Sequence, residues 1–420
     1  MRVLITSLAV EAHFNGAVPL AWALRAAGHE VRVASHPALT ESITRAGLTA
    51  VLVGTDHVHH ELVRDLGAEL DTFYRDIDFT GERGDDYVAL KGANTLLTAT
   101  FYAQANNDSM VDELVDFARY WQPDLVIWEP FTFAGAVAAR ACGAAHARLL
   151  WGPDLFLRMR TAFRQRMELL PAESHDDSLE EWLTWTLDRF GCAFDEEVVV
   201  GQWNIDQMPP GVRLPSGRPT VPMRYVPYNG RAVVPAWLRE PPRRPRVCLT
   251  LGITSRDTDH PNPVSLDEVF EAVSDLDIEV VATLDAAQRA EVTRVPDNTR
   301  VVDFVPLHAL LPGCSAAIHH GGAGTWSTAA ASGVPQLVIA GMWDNVYRAR
   351  RLADLGAGLF LPPDELTAAG LRDGLEQLLT KPSFREDARR LQAVIAAEPS
   401  PADVVPTLAE LVGRHRGARG

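Results

Sequence analysis

A glycine-rich segment between two apolar runs is the part of this sequence best suited to bind a diphosphate. Its residues are His319, His320, Gly321, Gly322, Ala323, Gly324 and Thr325. Glycines let the backbone approach a ligand closely, and the N-terminus of a following helix offers free N–H groups with partial positive charge. The segment lacks the Gly-x-Gly-x-x-Gly and Gly-Lys-Ser/Thr patterns of dinucleotide and triphosphate sites. It therefore predicts a diphosphate-containing ligand other than NAD or ATP.

A histidine and a glutamate, each following a predicted strand, could act as a general base and its partner. His13 lies in the loop after the first strand, and Glu129 follows the apolar run Leu125–Trp128. Histidine exchanges protons near neutral pH, and a carboxylate can orient its ring. Taken alone, each residue is equally well explained as an ordinary loop histidine or a solvated strand-end acid.

The other chemically suggestive groups favour neither a metal site nor a disulfide framework. The Asp-Thr-Asp at 257–259 could hold Mg²⁺ beside a diphosphate, but it lies in a polar, proline-flanked stretch where acids are usually solvated. His59 and His60 are neighbours whose side chains diverge on a strand or helix, so the pair alone builds no metal site. The cysteines are far apart, without a Cys-x-x-Cys pair, and are expected to be buried free thiols. They are Cys142, Cys192, Cys248 and Cys314.

Strands and helices alternate in the predicted secondary structure. A helix over Gly16–Ala27 is ended by Gly28, and a second helix covers Leu266–Ser274. Buried parallel strands are continuous apolar runs, and the sequence contains several. The predicted strands are Arg2–Leu8, Glu30–Ser35, Leu125–Trp128, Arg246–Leu251, Glu279–Thr283, Val301–Val305, Ala316–His319 and Gln336–Ile339.

This alternation predicts two doubly wound α/β domains. Prolines crowd between residues 209 and 245, which marks a linker. We therefore expect a first domain at 1–208, a second at 246–400, and a C-terminal segment, 401–420, whose helix packs back on the first domain. Such domains bind ligands at the carboxyl ends of their strands, so the cleft between them is the expected active site.

Composition excludes several classes of partner. The 420 residues carry a net charge of −16. Nucleic acids and anionic membranes are bound by clustered basic residues, so neither is expected here. The first ten residues lack a cleavage-type site, and no apolar run approaches the length of a membrane span. A cytoplasmic protein is expected.

Taken together, the chain resembles the family 1 nucleotide-sugar glycosyltransferases of the GT-B fold, with two Rossmann-like domains facing a cleft. Within them it is most similar to the macrolide deoxyaminosugar transferases of antibiotic biosynthesis, such as desosaminyl- and mycaminosyltransferases. The glycine turn marks the broad family, and tryptophan-rich segments indicate the macrolide subgroup. The resemblance covers essentially the whole chain, including the segments 18–23, 123–130, 181–187, 223–226 and 247–252.

The resemblance assigns a role to each candidate residue. It implies that His13 deprotonates the acceptor hydroxyl and that Glu129 is the acid paired with it. The residues that it assigns to donor binding are Thr254, Ser255, Val305, His319, His320, Gly321, Gly322, Ala323, Gly324, Thr325, Asp344 and Asn345. Among these, His319 and the glycine turn would hold the diphosphate. Val305 would contact the base through its backbone, and Asp344 and Asn345 would contact the sugar.

The donor implied by the resemblance is a thymidine diphosphate (TDP) deoxyaminosugar, with no cofactor and no metal. Plant relatives carry a glutamate that holds the ribose 2′-hydroxyl, and this chain has Ser327 in its place. Because TDP has no 2′-hydroxyl, the change favours TDP over UDP. The implied reaction inverts the anomeric centre of the sugar.

The resemblance also implies partners. They are a macrolide aglycone as acceptor and an auxiliary activator, a haem-free relative of the cytochrome monooxygenases; a homodimer is also compatible. Two alternatives stay open: a transferase for another aglycone, such as an aromatic polyketide, and a non-catalytic protein that binds sugar nucleotides. A nicotinamide dehydrogenase is disfavoured by the missing dinucleotide motif.

Overall fold

The chain forms two compact units, each built around one parallel β-sheet. The computed structural model describes residues 1–56, 77–252, 265–341 and 343–417. The first unit consists of Met1–Met208, Arg213–Met223 and Pro399–Gly420, and the second of Pro209–Val212 and Arg224–Glu398. Each unit is therefore discontinuous, and the predicted linker contributes to both.

The first unit has a seven-stranded parallel sheet in the order β3-β2-β1-β4-β5-β6-β7. Its strands are β1 (Arg2–Thr6), β2 (Glu30–Ser35), β3 (Ala50–Leu52), β4 (Leu125–Trp128), β5 (Ala145–Leu150), β6 (Trp203–Asp206) and β7 (Thr220–Pro222). The chain crosses from β3 back to β4 on the other side of β1. Doubly wound sheets bind ligands at the carboxyl edge beside such a change of direction.

Helices that alternate with these strands along the chain complete the first unit. They are α1 (Glu11–Asn15), α2 (Val18–Ala26), α3 (Thr40–Arg45), α4 (Tyr87–Leu97), α5 (Ala103–Ala105), α6 (Asp108–Trp121), α7 (Phe133–Cys142), α8 (Leu155–Met167), α9 (Ser178–Asp188) and α10 (Glu197–Val200). Gly28 takes a positive φ of 85° just beyond α2, where the sequence predicts the helix to stop.

The second unit has a six-stranded parallel sheet in the order β10-β9-β8-β11-β12-β13. Its strands are β8 (Arg246–Thr250), β9 (Glu279–Thr283), β10 (Thr299–Val302), β11 (Ala316–His319), β12 (Gln336–Ile339) and β13 (Gly358–Leu361). Its helices are α11 (Leu266–Val273), α12 (Ala286–Ala290), α13 (Leu307–Leu310), α14 (Ala323–Ala331), α15 (Trp343–Asp354), α16 (Ala368–Thr380) and α17 (Pro382–Ala397). Val247, Leu249, Val280 and Ile318 from the strands pack with Leu371 and Leu375 of α16 in the core.

One last helix, α18 (Pro401–Gly417), belongs to the first unit. It packs on α2 and on the strands β5 and β7. Val404, Val405, Leu408 and Val412 are buried. Within the described ranges, no helix combines the length and apolar character needed to cross a bilayer.

The predicted fold class, two Rossmann-like parallel α/β domains, is confirmed. The strand predicted at Val301–Val305 is Thr299–Val302 in the structure; it begins two residues earlier and ends three residues earlier, because β9 ends at Thr283, opposite Val302, and leaves no partner beyond. The sequence did not predict β3, β5, β6, β7 or β13. Of these, the edge strand β7 lies inside the proline-rich stretch. Proline is tolerated at a sheet edge, where an N–H needs no ladder partner, and Pro222 ends this strand.

Candidate active site

His13 and Glu129 lie in contact at the carboxyl edge of the first sheet. The strands β1 and β4 run side by side with Thr6 opposite Trp128, so the loops that follow them meet. His13 sits in the short helix α1 after β1, and Glu129 comes directly after β4. The distance between His13 Nδ1 and Glu129 Oε2 is 3.2 Å.

Glu129 is held as a carboxylate by three neighbours. Its side chain is 4% exposed, and it accepts hydrogen bonds from His13, from Thr132 Oγ1 and from Trp151 Nε1, the last at 3.1 Å. Burial alone would raise the pKa of Glu129, but the hydrogen bonds and the charge of His13 outweigh burial and lower it.

The charge on Glu129 determines which nitrogen of His13 is free. An ionised carboxylate only accepts hydrogen bonds, so Nδ1 of His13 carries the proton that points at it. The lone pair is then on Nε2, the nitrogen facing away from Glu129. A neutral imidazole oriented in this way can take a proton from a hydroxyl group.

Aromatic rings surround this pair. The ring centroid of His13 is 4.8 Å from that of Trp151 and 5.7 Å from that of Phe131. Phe131 in turn contacts Phe101 and Phe156 at 4.8 and 4.6 Å. We call these five residues the aromatic wall; Phe101 and Phe131 are buried, and the rings of Trp151 and Phe156 are partly exposed near His13.

Sequence reasoning missed both Thr132 and Trp151. Trp151 directly follows β5, the neighbour of β4, so the rule that strands present functional groups at their carboxyl ends could have identified it. Both the strand β5, which was not predicted, and its place beside β4 were needed first, because nothing in the local pattern distinguishes Trp151 from the other nine tryptophans.

The glycine turn lies at the carboxyl edge of the second sheet. It joins β11 to α14, and the N-cap residue Gly322 has no side chain to accept from the first N–H groups of the helix. Gly321 adopts a positive φ of 87°, a conformation that favours glycine. These groups can donate to an anion.

His319 supports the turn from inside the unit. It is fully buried, its Nδ1 accepts from the backbone N–H of Gly321 at 3.0 Å, and its Nε2 donates to Gln336 Oε1 at 2.8 Å. Burial, together with the charges of His320 and Arg348, lowers the pKa of His319 to about 3. In this geometry it offers a diphosphate neither a charge nor a free N–H, in contrast to the direct contact expected from the sequence.

His320 packs between two glycines. A Cβ added to Gly252 would lie 2.3 Å from its ring, and one added to Gly322 would lie 2.5 Å from it. Glycine is therefore needed both at Gly322 in the turn and at Gly252 after β8 for His320 to fit. Burial and the charge of Arg348 lower the pKa of His320 to about 4, so this ring is also neutral near pH 7.

Asp344 and Asn345 lie in the first turn of α15, and each has one side-chain oxygen bonded to Arg348. Asp344 is buried, and its carboxylate forms an ion pair with that guanidinium. Arg348 was not among the predicted site residues.

Some of the remaining predicted residues are buried in the second unit, and others lie outside the described residues. Val305, 3% exposed, lies just before α13 within an apolar cluster, and Ser327 is buried in α14. Thr254, Ser255, the 257–259 acids and the pair His59–His60 lie outside the described residues. Within the ranges that are described, no three His, Cys, Asp or Glu side chains are grouped as a metal site would require.

We expect the buried His319 to make stability depend on pH. Its pKa in the folded protein is below its value of 6.5 in the unfolded chain, so only the unfolded chain takes up a proton as the pH falls below about 6.5. The free energy of unfolding should fall by about 1 kcal/mol from about pH 6.5 to about pH 5.5 because of this residue. Urea unfolding of the protein and of His319→Asn at both pH values measures the difference.

The test compares the change in the free energy of unfolding between the two pH values, not the free energy of each variant at one pH. His175→Asn, the same substitution at an exposed histidine, is the control variant. Equal pH dependence in His319→Asn and the unaltered protein would contradict the expectation.

Comparison with known proteins extends over the whole chain. Two family models match it: erythromycin biosynthesis protein CIII-like, N-terminal domain, over residues 22–252, and the C-terminal domain of the same name over residues 267–411. The aklavinone 7-beta-L-rhodosaminyltransferase of Streptomyces galilaeus is 58% identical, covering 99% of this chain and 97% of that protein. The 10-deoxymethynolide desosaminyltransferase of Streptomyces venezuelae is 54% identical, covering 99% and 98%. Among solved structures, the chain is similar to the crystal structure of glycosyltransferase VinC in complex with dTDP. The TM-score is 0.88 and the sequence identity 42%, and the match covers 99% of this chain and 100% of that one.

Proposed function

The chain belongs to the EryCIII-like glycosyltransferase family, and from that premise we propose that it transfers an aminodeoxysugar from TDP to a hydroxyl group of a polyketide aglycone. Two relatives support the aminosugar, since one is named a rhodosaminyltransferase and the other a desosaminyltransferase. The dTDP complex of VinC supports the nucleotide. The observation that carries the proposal is the contact between His13 and Glu129 in a chain with this ancestry.

In the proposed mechanism, His13 acts as the general base, and a single displacement by the acceptor oxygen inverts the anomeric centre of the sugar. Nε2 takes the proton of the acceptor hydroxyl while the oxygen forms a bond to the anomeric carbon. The bond from that carbon to the diphosphate oxygen breaks, and TDP leaves with the electron pair. Glu129 stabilises the resulting imidazolium.

The charge that develops on TDP needs hydrogen-bond donors rather than an acid. The N–H groups that open α14 are fixed by the turn before the reaction begins, and preorganised donors of this kind stabilise developing charge. Because His319 is buried and internally bonded, we assign this task to the backbone of the glycine turn. The proposal requires no metal, and activity should persist in excess EDTA.

Two classes of acceptor remain in the proposal. The family resemblance implies a macrolide, which the desosaminyltransferase relative supports. The aromatic wall beside His13 and the rhodosaminyltransferase relative, whose name gives aklavinone as acceptor, favour an aromatic polyketide. We also propose that an auxiliary activator protein stimulates the reaction, on the basis of the family resemblance alone.

Product analysis tests the proposal. TDP-aminodeoxysugar is incubated with the protein and a macrolactone or an anthracyclinone, with and without a helper protein of the expected class, and products are identified by mass. A glycosylated product supports the proposal, and the aglycone that is converted identifies the acceptor class. Binding of TDP-sugar with no product in any mixture would favour a non-catalytic binding protein, and binding of NAD but not TDP would favour a dehydrogenase.

We expect Trp151→Phe to lower kcat about tenfold. The substitution keeps an aromatic ring against His13 but removes the N–H that Glu129 accepts, and a hydrogen bond to a charged group contributes about 1.5–3 kcal/mol. Part of that loss should appear in the transition state, because the Glu129 carboxylate is then held less rigidly in the position that orients His13. Steady-state kinetics with saturating TDP-sugar measure the change.

Trp182→Phe is the matched control, since Trp182 lies in α9 and its ring contacts Phe133 rather than His13. Its kcat should stay within a factor of two of the unaltered protein. A kcat for Trp151→Phe equal to that of this control would show that the indole N–H plays no part in the reaction.

A further inference from the structure

One arginine connects the glycine turn to the helix α15. Arg348 is 1% exposed, and its guanidinium donates to the carbonyl oxygen of Gly321 from Nε at 3.3 Å and from Nη2 at 2.9 Å. These bonds join residues 27 positions apart in the chain. A planar guanidinium presents its donors in a fixed fork, which lysine cannot reproduce.

Arg348 also bonds two residues of its own helix. Nη2 donates to Asn345 Oδ1 at 2.6 Å, and Nη1 donates to the carboxylate of Asp344. Asp344 and Asn345 are the two residues expected from the sequence to contact the donor sugar. The same guanidinium therefore restrains them and the turn together.

The bond to Gly321 restrains the part of the turn that would face a ligand. The carbonyl of Gly321 and the N–H of Gly322 belong to one planar peptide group, so fixing the carbonyl fixes the direction of that N–H. Gly322 is the N-cap of α14, whose first N–H groups follow it. On the other side, His319 accepts from the N–H of Gly321. Both peptide groups of Gly321 are thereby held.

We propose that Arg348 is a positioning residue of the donor site, which fixes the peptide groups of the glycine turn in the orientation that binds the diphosphate of TDP. The inference rests on the proposed function, because it requires that the turn binds TDP. Arg348 acts from behind the turn through the Gly321 carbonyl, while the backbone N–H groups contact the ligand. Asp344 and Asn345 act with it by holding the guanidinium in place.

The test measures TDP affinity in full-length variants by calorimetry. In Arg348→Ala the turn loses its support, and the dissociation constant of TDP should rise at least tenfold. Arg348→Lys keeps the charge without the forked donors of the guanidinium, and its dissociation constant for TDP should rise by a smaller factor. Guanidinium ion at low millimolar concentration should restore part of the affinity of Arg348→Ala, since it can occupy the vacated space and bond Gly321.

Arg246→Ala is the matched control. Arg246 is also buried and ion-paired, with Glu279, but it begins β8 and so lies at the opposite edge of the sheet from the turn. Its loss should lower the melting temperature while the dissociation constant of TDP stays within twofold, and guanidinium should have no effect on it. A merely structural role for Arg348 would give the same result as this control.

A double variant distinguishes the loss of support for the turn from electrostatic repulsion by Asp344. Arg348→Ala leaves the Asp344 carboxylate unpaired, and its repulsion alone could weaken TDP binding. In Arg348→Ala/Asp344→Asn that repulsion is gone, and we expect affinity to stay at least tenfold weaker. Recovery of the affinity of the unaltered protein in the double variant would overturn the inference.

Other results would contradict either the role of Arg348 or the proposed function. TDP affinity within twofold of the unaltered protein in Arg348→Ala would overturn the inference while leaving the proposed function intact. Failure of the unaltered protein to bind TDP would instead remove the proposed function. If Arg348→Ala does not fold, Arg348→Lys decides, since an unchanged affinity in that variant would contradict a role for the fork.

Discussion

Replacing His13 by alanine should lower kcat by about 10²–10⁴-fold, the contribution that a general base makes to a reaction of this kind. The variant loses the imidazole that Glu129 orients, and no other described side chain in contact with Glu129 can replace it, because Thr132 and Trp151 both donate to that carboxylate. TDP binding should be unchanged, since the glycine turn belongs to the second unit. Steady-state kinetics and TDP calorimetry measure the two effects separately.

The control for His13 is His29→Ala. His29 precedes β2 and so lies at the amino edge of the same sheet, where it contacts the N-terminus of the chain. This variant should keep its turnover and its TDP affinity. If His13→Ala turned over at a rate similar to that of His29→Ala, His13 could not be the base, and the mechanism would need another proton acceptor.

The second large effect is expected at the turn itself. Gly321→Ala should weaken TDP binding at least tenfold, because φ is 87° and the new Cβ would lie 3.1 Å from Val338 and 3.2 Å from Asn345. A side chain in this backbone region costs about 1–3 kcal/mol, and relief of the strain would rotate the peptide groups that Arg348 and His319 hold. Calorimetry with TDP gives the dissociation constant, and thermal melting shows whether the variant is folded.

Gly230→Ala is the control for backbone strain alone. Gly230 has a positive φ of 72° in the same unit, but a Cβ there would meet no atom within 4 Å. Its variant should lose stability and retain TDP affinity. Equal TDP affinity in the two alanine variants would mean that the conformation of Gly321 is unimportant for the donor.

Local patterns in the sequence predicted those parts of the fold that depend on near neighbours. Buried parallel strands are continuous apolar runs, so Glu279–Thr283 and Ala316–His319 were predicted to the residue. The strand β7 was missed because prolines interrupt its pattern, and only its pairing with β6 makes it a strand. The family resemblance, confirmed by the comparisons, supplied the candidate roles that spacing alone could not.

The site residues that escaped prediction depend on contacts between distant parts of the chain. Trp151 matters because β5 lies beside β4, and the sequence does not contain the strand order. Arg348 is one of three arginines within four positions of α15, and only packing shows that it is buried beneath Gly321. Helical periodicity predicts which face is buried, but it does not predict that a cation there will find a carbonyl from another loop.

The return of α18 to the first unit has a consequence for biosynthesis of the chain. A ribosome delivers residues in order, so all of the second unit has been synthesised before residues 401–417 emerge. Until then, the surface of α2 on which α18 packs lacks that helix. The second unit, which carries the glycine turn, can thus fold first. The first unit, which carries His13, is complete only after α18 has been synthesised.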